Sequence, residues 1–159
     1  MKKLIAALLA AVLILTLAGC GKKSASGSLD VEKAQSAIAG LELMPAATMN
    51  LDDAMLTDVY GVDASLLQSY LCVVPMMNVH ASGYWLLLPK EGELDTVKAQ
   101  IESYLETYQA SWDQYLPDQA ELVRNRLATT LETAEGTWLV YVVSENNDKV
   151  LEAIQGAVA

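Results

Sequence analysis

The sequence predicts an α+β domain, with an antiparallel sheet of about four strands formed by two hairpins and packed by one long amphipathic helix and a C-terminal helix. Three observations predict it. Apolar residues recur every three or four positions through residues 95–115, and two pairs of β-favouring runs flank turns near residues 78–83 and 135–136. A further helical pattern follows Asn146.

The first part of the domain is predicted to be helical. Residues 29–39 and 51–61 carry apolar side chains at helical spacing, and residues 64–68 are predicted to form one further turn. Residues 40–49, which contain glycine and proline, connect the first two segments. The residues predicted to cap the three helical segments are Asp30, Asn50 and Asp63.

The first hairpin follows, because residues 70–79 and 84–88 are two runs rich in apolar and β-favouring residues. Pro75 lies inside the first run and has no main-chain N–H to donate. Its position therefore predicts that the strand is an edge strand or is bulged at this point.

The long helix is predicted to begin at Asp95 and to end before Pro117. Its apolar stripe consists of Val97, Ile101, Tyr104, Leu105, Tyr108, Trp112 and Tyr115. Such a stripe is typical of the core face of a helix that lies on a sheet, and the alternative is an exposed aromatic platform for a ligand. Asp118 and Glu121 are predicted to start the next helix through a capping box.

The second hairpin is predicted at residues 127–134 and 137–144, around the turn residues Glu135 and Gly136. Residues 138–143 are apolar on both faces, which predicts an interior strand of the sheet. The inward side chains of the final helix are expected to be Val150, Leu151 and Ile154.

Residues 1–19 are predicted to be a lipoprotein signal peptide. Two lysines precede an uncharged apolar stretch at residues 4–17, which is short for a membrane-spanning helix. Residues 17–20, Leu-Ala-Gly-Cys, match a lipobox, in which the cysteine thiol is diacylated and the chain is cut just before it. Cys20 is therefore the predicted lipid-attachment site. The alternative is an ordinary signal peptide followed by an accidental cysteine.

Residues 20–28 are predicted to be the lipidated cysteine and a flexible tether, and residues 29–159 a single folded domain. Two acyl chains hold a protein firmly on a bilayer. The expected location is the extracytoplasmic face of the cell membrane, with membrane lipid as the partner through diacylated Cys20.

The charge balance excludes a class of partner. The whole chain carries a net charge of −10, which becomes −12 when the leader removes two lysines and −14 when the two tether lysines are set aside. Such a surface repels phosphate backbones, so no nucleic-acid binding is expected.

The remaining cysteine and the one histidine are the candidates for chemistry. Cys72 has no partner for an intrachain disulfide if Cys20 carries lipid, and its apolar neighbours predict a buried core thiol rather than a reactive one. His80 lies in the predicted turn, and no second histidine or cysteine stands at a zinc-ligand spacing. A dyad of Cys72 and His80 is the alternative.

Acidic residues cluster at residues 52–53 and 91–95, but neither cluster has the alternating ligands and turn glycine of an EF-hand loop. Helix capping explains both clusters. The chain has no glycine-rich phosphate loop, no nucleophile elbow and no dinucleotide fingerprint. We therefore predict no catalytic, metal-binding or cofactor-binding residue, and no cofactor.

Three short motifs carry a family resemblance: Val-Tyr-Gly-Val-Asp at residues 59–63, Trp-Asp-Gln-Tyr-Leu-Pro at 112–117 and Arg-Asn-Arg-Leu at 124–127. Through them the chain resembles, over roughly residues 50–158, a family of bacterial lipoproteins known as domain of unknown function 4358. The resemblance implies a lipoprotein location and carries no activity. Members usually have an acidic residue near the start of the second strand, where this chain has Gly-Tyr-Trp at residues 83–85.

These observations favour a non-catalytic binding or accessory module that is anchored to the membrane. Two other hypotheses stay open. One is a small cell-envelope hydrolase or thiol-redox enzyme that uses Cys72 or His80, and the other is a solute-capturing lipoprotein.

Overall fold

The computed structural model of the protein describes residues 27–159, and residues 1–26, including Cys20, lie outside the described residues. The strands are β1 (Thr48–Asn50), β2 (Leu67–Pro75), β3 (Gly83–Pro89), β4 (Leu127–Thr133) and β5 (Gly136–Val143). The helices are α1 (Val31–Ala39), α2 (Asp53–Asp58), α3 (Leu94–Asp113), α4 (Pro117–Arg124) and α5 (Asn147–Gln155), and a 3-10 turn spans Ala64–Leu66. None of the helices within residues 27–159 is both long and apolar enough to cross a bilayer.

The strands form one antiparallel sheet in the order β1-β2-β3-β5-β4, which confirms the predicted α+β class. The two predicted hairpins are β2–β3 and β4–β5, and β3 pairs with β5 to join them. The strand β5 is therefore interior, as its apolar character on both faces predicted.

Successive residues of a strand point to opposite sides of the sheet, and helices cover both of these faces. Every residue of β3 is buried. Trp85 and Leu87 pack on the face covered by α3, together with Val97, Ile101 and Leu105. Tyr84, Leu86 and Leu88 pack on the other face, which α1 and α5 cover through Ala34, Ile38, Val150 and Ile154.

The sheet has five strands rather than about four. The extra strand, β1, lies in the segment predicted to be a connector, and its three residues are too few to show a period. Met49 of β1 pairs with Val74, so β1 covers the outer side of β2 at its end. Pro75 is accordingly neither on an edge strand nor at a bulge. It ends β2 opposite Thr48, and the register shift of β2 lies between Leu67 and Ser69.

Two of the three predicted helix caps are confirmed. The side chain of Asp30 accepts a hydrogen bond from the Lys33 N–H, and that of Asp63 accepts one from the Ser65 N–H. Each satisfies a main-chain donor at the start of its helix.

The third predicted cap is wrong. Asn50 ends β1, and its side-chain amide exchanges hydrogen bonds of 2.8 and 3.3 Å with Gln35. Asp52 caps α2 instead, accepting from the Met55 N–H at 2.8 Å. Because Asn50 pairs with Val73 of β2, it is part of the sheet, and the residue that caps α2 is Asp52, two positions later.

The predicted capping box is also wrong. Pro117 occupies the first turn of α4, where its missing N–H costs nothing, and the capping position falls to Leu116 without a side-chain bond. Two residues that were assigned to apolar stripes are exposed: Val59 at 63% and Tyr115 at 62%. Both follow the last turn of their helix, where the chain leaves the helical path.

The described chain begins and ends as a pair of extended segments. Ser28 and Ala159 exchange main-chain hydrogen bonds of 2.9 and 3.1 Å, and Leu29 bridges Val158. The carbonyl of Gly27 accepts from the Ala134 N–H in the β4–β5 turn. Gly27 and Ser28, which the sequence analysis placed in the tether, are thus hydrogen-bonded to the domain.

Candidate functional site

A row of aromatic rings runs along α3, on the side that faces the sheet. Adjacent ring centroids are 4.5 to 6.1 Å apart along the row. Its members in order are Tyr60, Tyr104, Tyr108, Trp112 and Tyr115. These distances are typical of favourable aromatic pairs, so each ring of the row packs against its neighbour.

The members of the row differ in burial. Trp112 is buried at 6% exposure, while Tyr104 and Tyr108 are partly buried and pack against the core. Tyr115, at the end of the row, is exposed. The prediction that the stripe is a core face is therefore confirmed from Val97 to Trp112 and wrong for Tyr115.

Two shallow openings lie along this row. One, of about 510 Å³, separates the loop after α2 from α3 and is lined by Tyr60 and Tyr104. The other, of about 340 Å³, is lined by Asn78, Ser111 and Tyr115 along with other members of the row. Asn78 belongs to the β2–β3 loop, so this second opening brings the loop and the end of α3 together.

The β2–β3 loop adds an exposed apolar surface at this point. Met76, Met77 and Val79 expose 63%, 55% and 45% of their surface, and Tyr115 faces the same opening as Asn78. We call Met76, Met77, Val79 and Tyr115 the loop patch. Sequence reasoning missed it because residues 76–79 were assigned to a strand. The available signal was Pro75, since a proline often ends the pairing of a strand.

The base of the loop is held by side chains from α3 and α4. Gln119 accepts a hydrogen bond from the Ala81 N–H at 2.8 Å, and the Tyr108 hydroxyl donates to the Ala81 carbonyl at 3.3 Å. Burial raises the pKa of Tyr108 to about 12, so its hydroxyl stays a donor above the pH at which an ordinary tyrosine ionises. These two hydrogen bonds hold the main chain of Ala81, at the base of the loop that carries three residues of the loop patch.

The two candidates for thiol chemistry lie in different environments. Cys72 is 1% exposed in β2, opposite Trp85, which confirms the prediction of a core thiol. Burial raises the pKa of the Cys72 thiol far above its ordinary value of 9.0. His80 is exposed in the β2–β3 loop, and the structure provides no contact between its ring and the enclosed thiol.

The acidic clusters have structural roles in part. Asp52 caps α2, and Asp53 accepts a hydrogen bond from the Tyr70 hydroxyl. Glu93 occupies the capping position of α3 without a side-chain capping bond, whereas Asp95 lies in the first turn of α3, where its charge complements the helix dipole. In the part of the chain that the structure describes, no three histidine, cysteine or acidic residues are grouped to hold a metal ion.

Comparison with known families bears on the whole site. The family model described as Domain of unknown function (DUF4358) matches residues 42–153. The chain belongs to this family. No curated protein and no solved structure matches it.

The part of the chain that matches the DUF4358 family contains the full sheet, the aromatic row and the loop patch, and it leaves out α1. In this DUF4358 domain the start of β3 has no room for a side chain. A Cβ on Gly83 would lie 2.9 Å from the Val73 carbonyl oxygen. An acidic residue at this position would therefore require the two strands to move apart.

Cys20, the one site residue predicted from the sequence, lies outside the described residues. The first described residue on the side of Cys20 is Gly27. Gly27 is held at the β4–β5 turn, at the end of the sheet where Gly136 pairs with Thr133. The β2–β3 loop lies at the other end, where Gly83 pairs with Val143.

Proposed function

We propose that this chain is a membrane-anchored extracytoplasmic lipoprotein, and that its domain is a non-catalytic module that binds a partner through the loop patch. One observation carries the proposal: Met76, Met77 and Val79 are exposed in one short loop, whose Asn78 lines the same opening as the exposed Tyr115. A cluster of large exposed apolar side chains on a soluble domain is typical of an interaction site.

The anchor follows from the lipobox at residues 17–20. A diacylated Cys20 would hold the protein on the bilayer, because each buried methylene contributes about 0.8 kcal/mol. The seven residues from Cys20 to residue 26 span at most about 25 Å when fully extended.

The position of the loop patch supports a partner other than the bilayer. The eight residues of β5 separate the two ends of the sheet by about 24 Å. A seven-residue coil spans about 15 Å on average. The opposite end of the sheet therefore reaches the membrane end-on only when the tether that begins at Gly27 is stretched almost fully straight. The loop patch is thus available to molecules around the protein.

The chemistry of the loop patch favours a protein partner. Methionine side chains are flexible and polarizable, and they adapt to apolar side chains of different shapes. An exposed tyrosine beside them offers a large apolar ring together with a hydroxyl. The thiol-redox alternative is weakened by Cys72, because a buried thiol with a raised pKa is a poor nucleophile.

The anchor is tested by replacing Cys20 with serine and labelling cells with a palmitate analogue. We expect the original chain to be labelled and Cys20→Ser to lose the label completely. Equal labelling of the two proteins would contradict the lipoprotein assignment.

The binding surface is tested by photo-crosslinking in cells, with a benzophenone amino acid at position 115 or, as a control, at the exposed position 106 on α3. We expect a protein adduct from position 115 only, and its loss in Met77→Ser. Adducts of equal yield from both positions, or adducts with lipid alone, would refute the proposed surface.

A further inference from the structure

The outermost strand β4 carries a second interaction surface, independent of the loop patch. Its seven residues pair with β5 along their whole length in an unbroken register, and within residues 27–159 no strand pairs with the other side of β4. Its sequence, Leu-Ala-Thr-Thr-Leu-Glu-Thr, contains no proline and no basic residue. Edge strands of monomers are usually protected by such residues, by bulges or by a covering segment.

The register identifies the main-chain groups that face outward. Thr133 and Gly136 close a two-residue turn, so they form a hydrogen-bonded pair, and such pairs alternate along an antiparallel ladder. The N–H and C=O groups of Ala128, Thr130 and Glu132 consequently point away from β5. The carbonyl of Gly27 already accepts from Ala134, the next outward position, so the free part of the edge is centred on Thr130.

We propose that β4 pairs with β4 of a second copy of this chain, antiparallel, about a two-fold axis through Thr130. The register places Thr130 opposite the partner's Thr130, and Ala128 opposite the partner's Glu132. The pairing forms about six main-chain hydrogen bonds and one continuous sheet of ten strands.

The side chains of β4 suit this pairing on both faces. Leu127 and Leu131 pack partly buried against the core under α1 and α5. In the pair they lie opposite Thr133 and Thr129 of the second copy, with the leucines of the two copies as diagonal neighbours. No charged residue lies opposite its own copy. A register shifted by two residues would leave Ala128 or Glu132 without a main-chain partner.

Charge complementarity favours a second copy over another extended segment. Lys98 of α3 lines a cavity of about 240 Å³ with Ala128 and Thr130. The Lys98 side chain is half exposed, and its nitrogen is 4.0 Å from Glu102, whose carboxylate also accepts from the Tyr141 hydroxyl. The partner's Glu132 lies on this same face opposite Ala128. One of its carboxylate oxygens accepts from the Thr137 hydroxyl of its own chain at 2.8 Å, which leaves the other oxygen for Lys98. The two-fold axis repeats the attraction, which opposes the repulsion between two acidic domains.

The other edge of the sheet offers no equivalent surface. The strand β1 has only three residues, and the side chain of Asn50 at its end is hydrogen-bonded to Gln35.

The proposed lipid anchors are compatible with the β4 pairing. Because the pair is antiparallel, the tethers of the two copies begin at opposite ends of the sheet. Both tethers reach one bilayer when the strands lie parallel to its surface.

The experiment uses the full chain in intact cells, with Thr130→Cys or, as a matched control, Thr96→Cys, which is exposed on α3. A short bismaleimide is added, and dimers are measured on a denaturing gel. Cys72 is enclosed and does not react, and the chain without an added cysteine gives the background. We expect at least about ten times more dimer from Thr130→Cys than from either control, and the same yield when Met77→Ser is added.

Two further changes in the Thr130→Cys protein test the register and the ion pair. Ala128→Pro removes an outward donor without removing a bond to β5, so we expect the dimer to disappear while the amount of protein is unchanged. Glu132→Lys or Lys98→Glu alone should lower the dimer about tenfold, and the two together should restore it. Equal yields from positions 130 and 96, an adduct with a different protein, or charge reversals without effect would each overturn the proposal.

Discussion

Replacing Trp112 by alanine tests whether the aromatic row is part of the core. Trp112 is 6% exposed, and its ring packs against Tyr108 edge-on at 5.8 Å and against Tyr115 at 6.1 Å. Truncation of a buried tryptophan to alanine costs about 3–5 kcal/mol. With a urea m-value of about 2 kcal/mol/M, a loss of about 4 kcal/mol lowers the denaturation midpoint by about 2 M.

The assay is a urea titration of the protein from residue 20 onward, carrying Cys20→Ser so that no lipid is attached. Glu106→Ala, exposed on the same helix, is the control and should leave the midpoint within a few tenths of 1 M. Glu102 is a poorer control, because it accepts a hydrogen bond from the Tyr141 hydroxyl at 3.2 Å.

A second variant separates packing from hydrogen bonding. The indole N–H of Trp112 has no acceptor within the described residues. Trp112→Phe therefore removes part of the volume but breaks no hydrogen bond, and the midpoint should fall by less than half as much as in Trp112→Ala. An unchanged midpoint in Trp112→Ala would show that the row is an exposed platform and would refute the assignment of this residue to the core.

Three further predictions concern single residues. The Cys72 thiol should react slowly with a maleimide in the native protein and rapidly in urea, and fast native labelling would contradict its burial. Because burial raises its pKa, the stability difference between the original protein and Cys72→Ala should be constant below pH 9.0 and shrink above it. Asp52→Ala removes the cap on the Met55 N–H and should lower the free energy of unfolding by about 1 kcal/mol, measured by urea titration against Asp58→Ala at the other end of the helix. Gly83→Ala places a Cβ 2.9 Å from a carbonyl oxygen and should destabilise the protein by at least about 1 kcal/mol, whereas an unchanged melting temperature would show that the strands separate freely.

Local patterns in the sequence determined the elements whose burial repeats over many residues. The long helix follows from an apolar period of 3.6 over twenty residues, and the two hairpins and the interior position of β5 follow from runs of apolar and β-favouring residues around turns. The burial of Cys72 followed from its apolar neighbours in the same way. Such patterns are readable because the hydrophobic effect acts on every residue of the element.

Tertiary structure alone decided the features that depend on pairing between distant segments. The strand β1 exists because β2 offers it an open side, and this pairing also moved the helix cap from Asn50 to Asp52. The segment at residues 76–79 has the composition of a strand, but its pairing stops after Met76, whose N–H donates to the Ala47 carbonyl, and the side chains of Met76, Met77 and Val79 are exposed. Tyr115 continues the stripe of α3 in sequence, yet the helix ends at Asp113 before reaching it. A sequence indicates which side chains favour burial. Which of them are buried depends on whether a partner strand or a facing surface is available.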